Sequence, residues 1–358
     1  MKRDESTRRH FLKTTAATAL AAAASRVVGG AAESRAETET ERAEMVGQAS
    51  PHELIWGYLV QLGFGSSSLR EANSHLRFDQ GLWNELLPKM VENGVNMVVI
   101  ELGDGVKFES HPEIAVNGAW SVNHLRQELE KLRRLGLEPI PQLNFSAAHD
   151  AWLGPYSQCV STDVYYRVCR DLIAEVLQIF DKPRLFHLGW DEEDIETQQA
   201  LRYEYIVVRQ FDLFWHDLYF LLENVERGGA RPWVWADMIR RMDPKGYLEK
   251  MPTSVLQSNW YYDKGFNEEV ISVKNYLDLE ARGYDQVLTG SNYVHPQNFL
   301  DTVLFAREKI APQRLFGFLQ TSWRPTLPEY RDRHLEAIKE IGQAKARMAG
   351  PRVPRSGI

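Results

Sequence analysis

Near the middle of a chain of 358 residues, the apolar run Arg184-Leu-Phe-His-Leu-Gly189 ends abruptly in Trp190 and four acids, Asp191, Glu192, Glu193 and Asp194. Adjacent carboxyl groups can divide acid–base work when their surroundings push their pKa values apart, one ionised and one protonated near neutral pH. A buried strand through His187 would deliver Asp191 and Glu192 to a pocket, because beyond a strand's end neighbouring side chains are no longer held to opposite faces. The same four acids would also suit the first turn of a helix, where the macrodipole favours negative charge. The surrounding elements decide between the two readings.

Those elements repeat. Short apolar runs lie near 54–60, 95–101, 137–143, 184–189, 232–237, 253–258, 285–290 and 314–320. Helical patterns fall between them, as at Leu82–Asn93, Val122–Leu135, Val164–Phe180 and Phe299–Lys309. This alternation predicts parallel strands joined by crossovers. Eight such units within 51–345 predict an α/β fold, a closed (β/α)8 TIM barrel, with an open doubly wound sheet as runner-up. Barrel enzymes place their chemistry at the C-terminal strand ends. Here those ends carry Glu101 and Asp104, Asn144 and His149, His187 and Trp190, Trp235 and Asp237, Trp260 with Tyr261 and Tyr262, Tyr293 and His295, and Trp323 with Arg324. Flat rings can stack on the C–H faces of a pyranose while acids and amides bind its hydroxyls. Any one of these rings alone is equally well explained by packing. Their recurrence at one end of successive units points to a glycan.

With these residues in view, the chain resembles the catalytic barrel of glycoside hydrolase family 20, the β-N-acetylhexosaminidases. That family ends its fourth strand in His-x-Gly-Gly-Asp-Glu, and this chain reads His187-Leu-Gly-Trp-Asp-Glu192. Its third strand ends Pro-Glu-x-Asp followed by Gly-His, here Pro141-Gln-Leu-Asn144 with His149; its fifth carries Trp-x-Asp, here Trp235-Ala-Asp237; a tryptophan closes its eighth, here Trp323. The resemblance implies retaining hydrolysis of glycans containing N-acetylhexosamine, with the substrate's acetamido oxygen as nucleophile, an exception to the two-carboxylate scheme. Glu192 is then the acid and base, and Asp191 orients the acetamido group. His187, Trp190, His149, Asn144, Trp235, Asp237, Trp260, Tyr293, Trp323 and Asp104 are the expected substrate-binding residues. No cofactor and no metal are called for.

There are departures. Trp190 stands where the family has glycine, Gln142 and Asn144 where it has acids, and Arg324-Pro325 where it has a sugar-binding Glu. Arg70 is the one candidate for its first-strand arginine. A non-catalytic carbohydrate-binding barrel derived from such an enzyme is therefore the alternative. A third reading, a metal-dependent barrel with His149, His187, Asp191 and Glu192 as ligands, uses acceptable ligand types at no metal-binding spacing.

Residues 1–32 read as a signal peptide. Thr7-Arg-Arg-His-Phe-Leu-Lys13 precedes an Ala-rich run and small residues through Ala32, too short for a membrane span of roughly 20 apolar residues. The arginine pair followed by Phe-Leu-Lys looks like a twin-arginine signal. It implies the twin-arginine export machinery as a partner and a periplasmic or extracellular destination, with no stable membrane span in the mature chain. Residues 33–50 lack large apolar side chains and read as a disordered linker; 346–358 read as a flexible tail. The formal charge is −7, and six basic against two acidic groups in the first thirty residues leave −11 for the rest. An acidic chain without a basic cluster argues against nucleic acid as a partner. Cys159 and Cys169 fit no metal site and read as structural.

Overall fold

The computed structural model describes residues 53–63, 74–200 and 206–349. The expected signal peptide, the linker, Arg70 and residues 350–358 of the expected tail lie outside them.

Eight strands form the barrel: β1 (Ile55–Gln61), β2 (Met97–Glu101), β3 (Glu138–Gln142), β4 (Leu185–His187), β5 (Arg231–Trp235), β6 (Leu256–Ser258), β7 (Gln286–Ser291) and β8 (Leu315–Thr321). Each pairs in parallel with the next, and β8 pairs with β1 to close the ring. Closure excludes the doubly wound sheet. Helices α1 (Gln80–Glu92), α2 (Val122–Arg134), α3 (Asp163–Ile179), α4 (Ile195–Ala200), α5 (Asp212–Arg227), α6 (Met238–Arg241), α7 (Pro244–Lys250), α8 (Ile271–Ala281), α9 (Asn298–Lys309) and α10 (Arg331–Ala349) lie between or after the strands. The last of these runs past 345, so the first residues expected in the flexible tail are helical. No helix among the described residues is long and apolar enough to cross a membrane.

The two-residue period of the strands divides the apolar side chains into two cores. Ile55, Leu59, Met97, Val99, Ile140, Leu185, Trp233, Val287 and Leu319 form the smaller one, the barrel interior. Their strand neighbours Tyr58, Val60, Val98, Ile100, Phe186, Val234 and Phe318 join the larger one, packed against the helices. On α3 the buried residues Tyr165, Val168, Cys169, Leu172, Ile173 and Val176 recur at helical spacing, which seats that helix on the barrel. Thr162 caps it by accepting the Tyr165 N–H at 3.2 Å. Cys169 belongs to this packed face, and both cysteines are free thiols.

Closure is tightest where β8 meets β1. Gly317 pairs with Ile55 beside an irregularity in the β8–β7 register, and its φ is +149°. A Cβ there would stand 2.2 Å from the Ile55 carbonyl oxygen. Gly317→Ala is expected to lose about 1–3 kcal/mol of stability, seen as a lower urea midpoint at unchanged slope. An unchanged midpoint would mean that closure does not depend on this contact.

Candidate active site

β4 is only three residues long, and the chain leaves it through left-handed backbone. Gly189, Trp190 and Glu192 have φ of 71°, 76° and 55°. Glycine is required at the first position, because a Cβ would lie 2.1 Å from Asn144 Oδ1. The other two residues adopt a conformation that costs about 1 kcal/mol or more apiece. The loop after β3 receives this turn. Asn144 Oδ1 accepts the N–H groups of Ser146 at 3.1 Å and Trp190 at 3.4 Å, and its Nδ2 donates to Asp191 Oδ1 at 2.9 Å. The helix-start reading holds for one acid only: Asp194 accepts the Thr197 N–H at 2.7 Å as α4 begins.

His149 joins the two candidate carboxylates. Its Nε2 lies 3.0 Å from Glu192 Oε2 and 3.6 Å from Asp191 Oδ2. Burial disfavours the imidazolium, but the charges of Asp191, Glu192 and Glu101 outweigh it and push the His149 pKa up to about 10. For Glu192, burial pushes upward too, yet the His149 hydrogen bond and charge, with Arg241 and Arg240, bring it below its ordinary range. Asp191 moves the other way, raised by burial against the pull of His149, with the Glu192 charge adding to the rise. The two carboxyl groups are thus pushed in opposite directions, Glu192 down and Asp191 up, within a cluster that titrates as a unit.

β5 supplies the next layer. Asp237 Oδ2 accepts the Glu192 backbone N–H at 3.2 Å and pairs with Arg241 Nε at 2.9 Å, while burial pushes its pKa up to about 7. Arg241 also binds Asp194 and reaches within 3.4 Å of Glu192 Oε1. Neither Arg240 nor Arg241 figured among the expected site residues, although their places three and four residues beyond Asp237 on α6 put them on its side of a helical turn. Glu101, named only as a strand-end acid, proves to be a charge partner of His149.

The remaining expected residues divide. Trp190 does not face the pocket: it is 1% exposed, packed on Phe214 with the Arg209 guanidinium 4.5 Å over its ring. Its left-handed φ turns it into the core. His187 is fully buried between Trp233 and Trp235, and its Nδ1 accepts the Gly189 N–H at 3.0 Å. It supports the turn from beneath, out of a substrate's reach. Trp260 is partly buried, with the Arg240 guanidinium 4.1 Å from its ring centroid and a near-parallel Tyr262 ring at 5.1 Å, so its ring is already stacked by protein groups. Trp235 is buried with its Nε1 unpartnered, 6.0 Å from the half-buried Trp323. Asp104 is buried in the turn after β2 and pushed up to about 7 by burial. Tyr293 is exposed on the β7 loop beneath Arg324.

His149, Asp191 and Glu192 each present one potential ligand atom within 4.8 Å of the others, the one group of that kind among the described residues. His187, which the metal reading also used, is not part of it. A metal there would have to displace a firmly held imidazolium proton.

The fold is a (β/α)8 barrel with a carboxylate pair at the C-terminal end of β4, and comparison with solved structures returns the same architecture. The exo-β-N-acetylglucosaminidase of family 20 from Vibrio harveyi matches over 82% of this chain and 55% of its own, at 14% identity and a TM-score of 0.56. The family 20 β-N-acetylhexosaminidase from Streptomyces coelicolor matches over 81% and 64%, at 13% identity and a TM-score of 0.58. A β-N-acetylhexosaminidase from Bacteroides fragilis matches over 80% and 65%, at 14% identity and a TM-score of 0.57. The chain spans less than two thirds of each. No family model and no curated protein matches the sequence. At these identities the likeness establishes the fold, a closed (β/α)8 barrel.

Burial pushes Glu101 from its ordinary 4.5 up to about 7, against its hydrogen bond from Gln61 Nε2 at 3.0 Å. Below about pH 4.5 folded and unfolded chains both hold this proton; between there and about pH 7 only the folded chain does. Stability therefore falls as pH rises through that window, by about 3 kcal/mol in all. Glu101→Gln should lose correspondingly less stability between pH 4.5 and 7.5 in denaturant titrations. Equal losses in the two proteins would place the retained proton elsewhere.

Proposed function

We propose that this chain is an exported glycosidase that hydrolyses N-acetylhexosaminides by a retaining mechanism assisted by the substrate's own acetamido group. The observation that carries this reading is the delivery of Asp191 and Glu192 together at the end of β4, with one imidazole between them. The solved enzymes with the same barrel, among them β-N-acetylhexosaminidases, support it. So do buried polar atoms at the strand ends with no protein partner, Trp235 Nε1, Asp237 Oδ1 and Arg240 Nη1, of the kind that sugar hydroxyls or an acetamide satisfy.

In this mechanism the acetamido oxygen attacks the anomeric carbon as the glycosidic C–O bond breaks, and the departing oxygen takes a proton from Glu192. Asp191, held by Asn144, accepts the acetamido N–H and offsets the positive charge of the cyclic intermediate. Glu192 then removes a proton from the water that opens that ring, with retention at the anomeric carbon. His149 and Arg241 hold Glu192 below its ordinary range; a bound sugar that displaces water and reduces the pull of Arg241 favours its protonated form, the proton passing from the imidazolium 3.0 Å away. Proton transfer by a positioned carboxyl contributes roughly 10²–10⁴-fold.

Nitrophenyl N-acetylglucosaminide and the matching glucoside distinguish the readings. The acetamido sugar alone should be turned over, with Glu192→Gln lowering kcat by about 10³-fold. Equal turnover of the glucoside would sink the substrate-assisted step. The lack of a sugar-binding Glu after Trp323, where Arg324-Pro325 stand, favours a second reading, a barrel that binds glycans without cleaving them. A folded protein that binds N-acetylglucosamine oligosaccharides and releases no nitrophenol would establish it.

The arginine pair at Arg8 and Arg9, followed by Phe11-Leu12-Lys13 and an alanine-rich run, supports export through the twin-arginine pathway to the periplasm or beyond. A reporter fused behind residues 1–32 should leave the cytoplasm of a bacterium with that pathway, and Arg8→Lys/Arg9→Lys should retain it there. Export unaffected by the double substitution would assign the segment to another route.

A further inference from the structure

Arg209 lies in irregular backbone between α4 and α5 and is 3% exposed. Its Nη1 meets Glu193 Oε1 at 2.5 Å and its Nε meets Asp217 Oδ2 at 2.7 Å. Its Nη2 donates to the Tyr165 hydroxyl at 2.8 Å and to the Phe145 carbonyl at 3.3 Å. The guanidinium plane sits 4.5 Å over the ring of Trp190. Glu193 Oε1 in turn accepts the Ala147 N–H at 2.5 Å.

Two features of this arrangement matter together. Trp190 and Glu193 immediately flank the candidate acids, and the backbone between them is strained, with positive φ at Trp190 and Glu192. Phe145 and Ala147 lie between Asn144 and His149, the residues that touch Asp191 and Glu192. Arg209 therefore grips both the turn that carries the acids and the loop that carries their partners. Buried ion pairs are commonly no more stabilising than well-packed apolar side chains, so this one is weak as a device for stability. It is strong as a device for geometry, since planar guanidinium donors fix the direction of each acceptor.

We propose that Arg209 is a positioning residue, stapling the 190–193 turn to the 144–149 loop so that Asp191 and Glu192 hold their places against His149. This rests on the reading of that pair as the working acids.

The test uses the full chain with Arg209→Lys, which keeps the charge and loses the fork, and Glu193→Gln, which keeps an acceptor for Arg209 and weakens that grip by removing its charge. Each is checked for folding by circular dichroism. Two quantities are read: kcat and KM on nitrophenyl N-acetylglucosaminide, and the titration midpoint of His149 by nitrogen NMR of its imidazole. A displacement of about 1 Å at reacting groups costs up to about 10²-fold in rate. Folded Arg209→Lys should therefore lose about 10–100-fold in kcat with KM changed less than about threefold, and its His149 midpoint should fall as the carboxylates step away. Glu193→Gln should move both quantities the same way by less. A folded Arg209→Lys with unchanged kcat and midpoint, merely melting lower, would overturn the proposal, and if only Glu193→Gln folds, unchanged values in it would do the same. Should the unaltered protein turn over no acetamido sugar, the proposed activity fails, while the His149 midpoint still decides the role of Arg209.

Discussion

The candidate site depends on the backbone leaving β4 in left-handed conformations. An extended continuation would send Asp191 and Glu192 to opposite faces; the turn at Gly189, Trp190 and Glu192 brings both against one imidazole. That turn in turn constrains its neighbours. Gly189 admits Asn144 because it has no side chain, Asn144 then receives the Trp190 N–H and holds Asp191, and Asp237 receives the Glu192 N–H. The loops after β3, β4 and β5 are thus assembled around the polar groups of one short stretch.

Charge follows from this assembly. Glu101, Asp191, Glu192 and Asp237 are gathered with His149, Arg240 and Arg241 where little water reaches them, so each group's protonation is set mainly by its neighbours. The imidazolium and Arg241 favour the ionised form of Glu192, while burial outweighs the pull of His149 on Asp191 and of Arg240 and Arg241 on Asp237 and pushes both up. Protons in such a cluster are shared, and what titrates is the cluster. A sugar that excludes water and occupies donors would redistribute them without any large movement of the chain.

The barrel was legible in the sequence because strand and helix periods are local, and eight alternating runs leave few topologies. The acids at the end of the fourth run were legible for the same reason. The direction of Trp190 was not, since it is fixed by a positive φ that a tryptophan gives no sign of adopting. Nor was the fate of Trp260, whose ring meets Arg240, twenty residues earlier in the chain, and Tyr262. The order of protonation in the pair depends on His149 and Arg241, which approach through space from β3 and β5. Arg209 carries no periodic signal, lying in irregular chain and meeting Glu193 sixteen residues away. Periodicity assigns faces in regular elements and is silent on turns and cross-loop pairs.

Polar side chains border both ends of the barrel. At the N-terminal end, a cleft of about 460 Å³ is bordered by Glu53, Asn96, Glu138 and Arg184. There Arg184 binds both oxygens of Glu138 at 2.7 and 2.8 Å, and Asn96 bonds the backbone of Trp56 and Leu54. Such partly exposed pairs add about 0–1 kcal/mol and leave little for a ligand to complete. At the C-terminal end, Gln142, Trp235 and Asp237 are buried with polar atoms that meet no protein partner, each at a cost of about 1–3 kcal/mol if left dry. Branched aliphatic side chains would fill the same layer without that cost. A layer of amide, indole and carboxylate in their place is one that water or a polar ligand can complete.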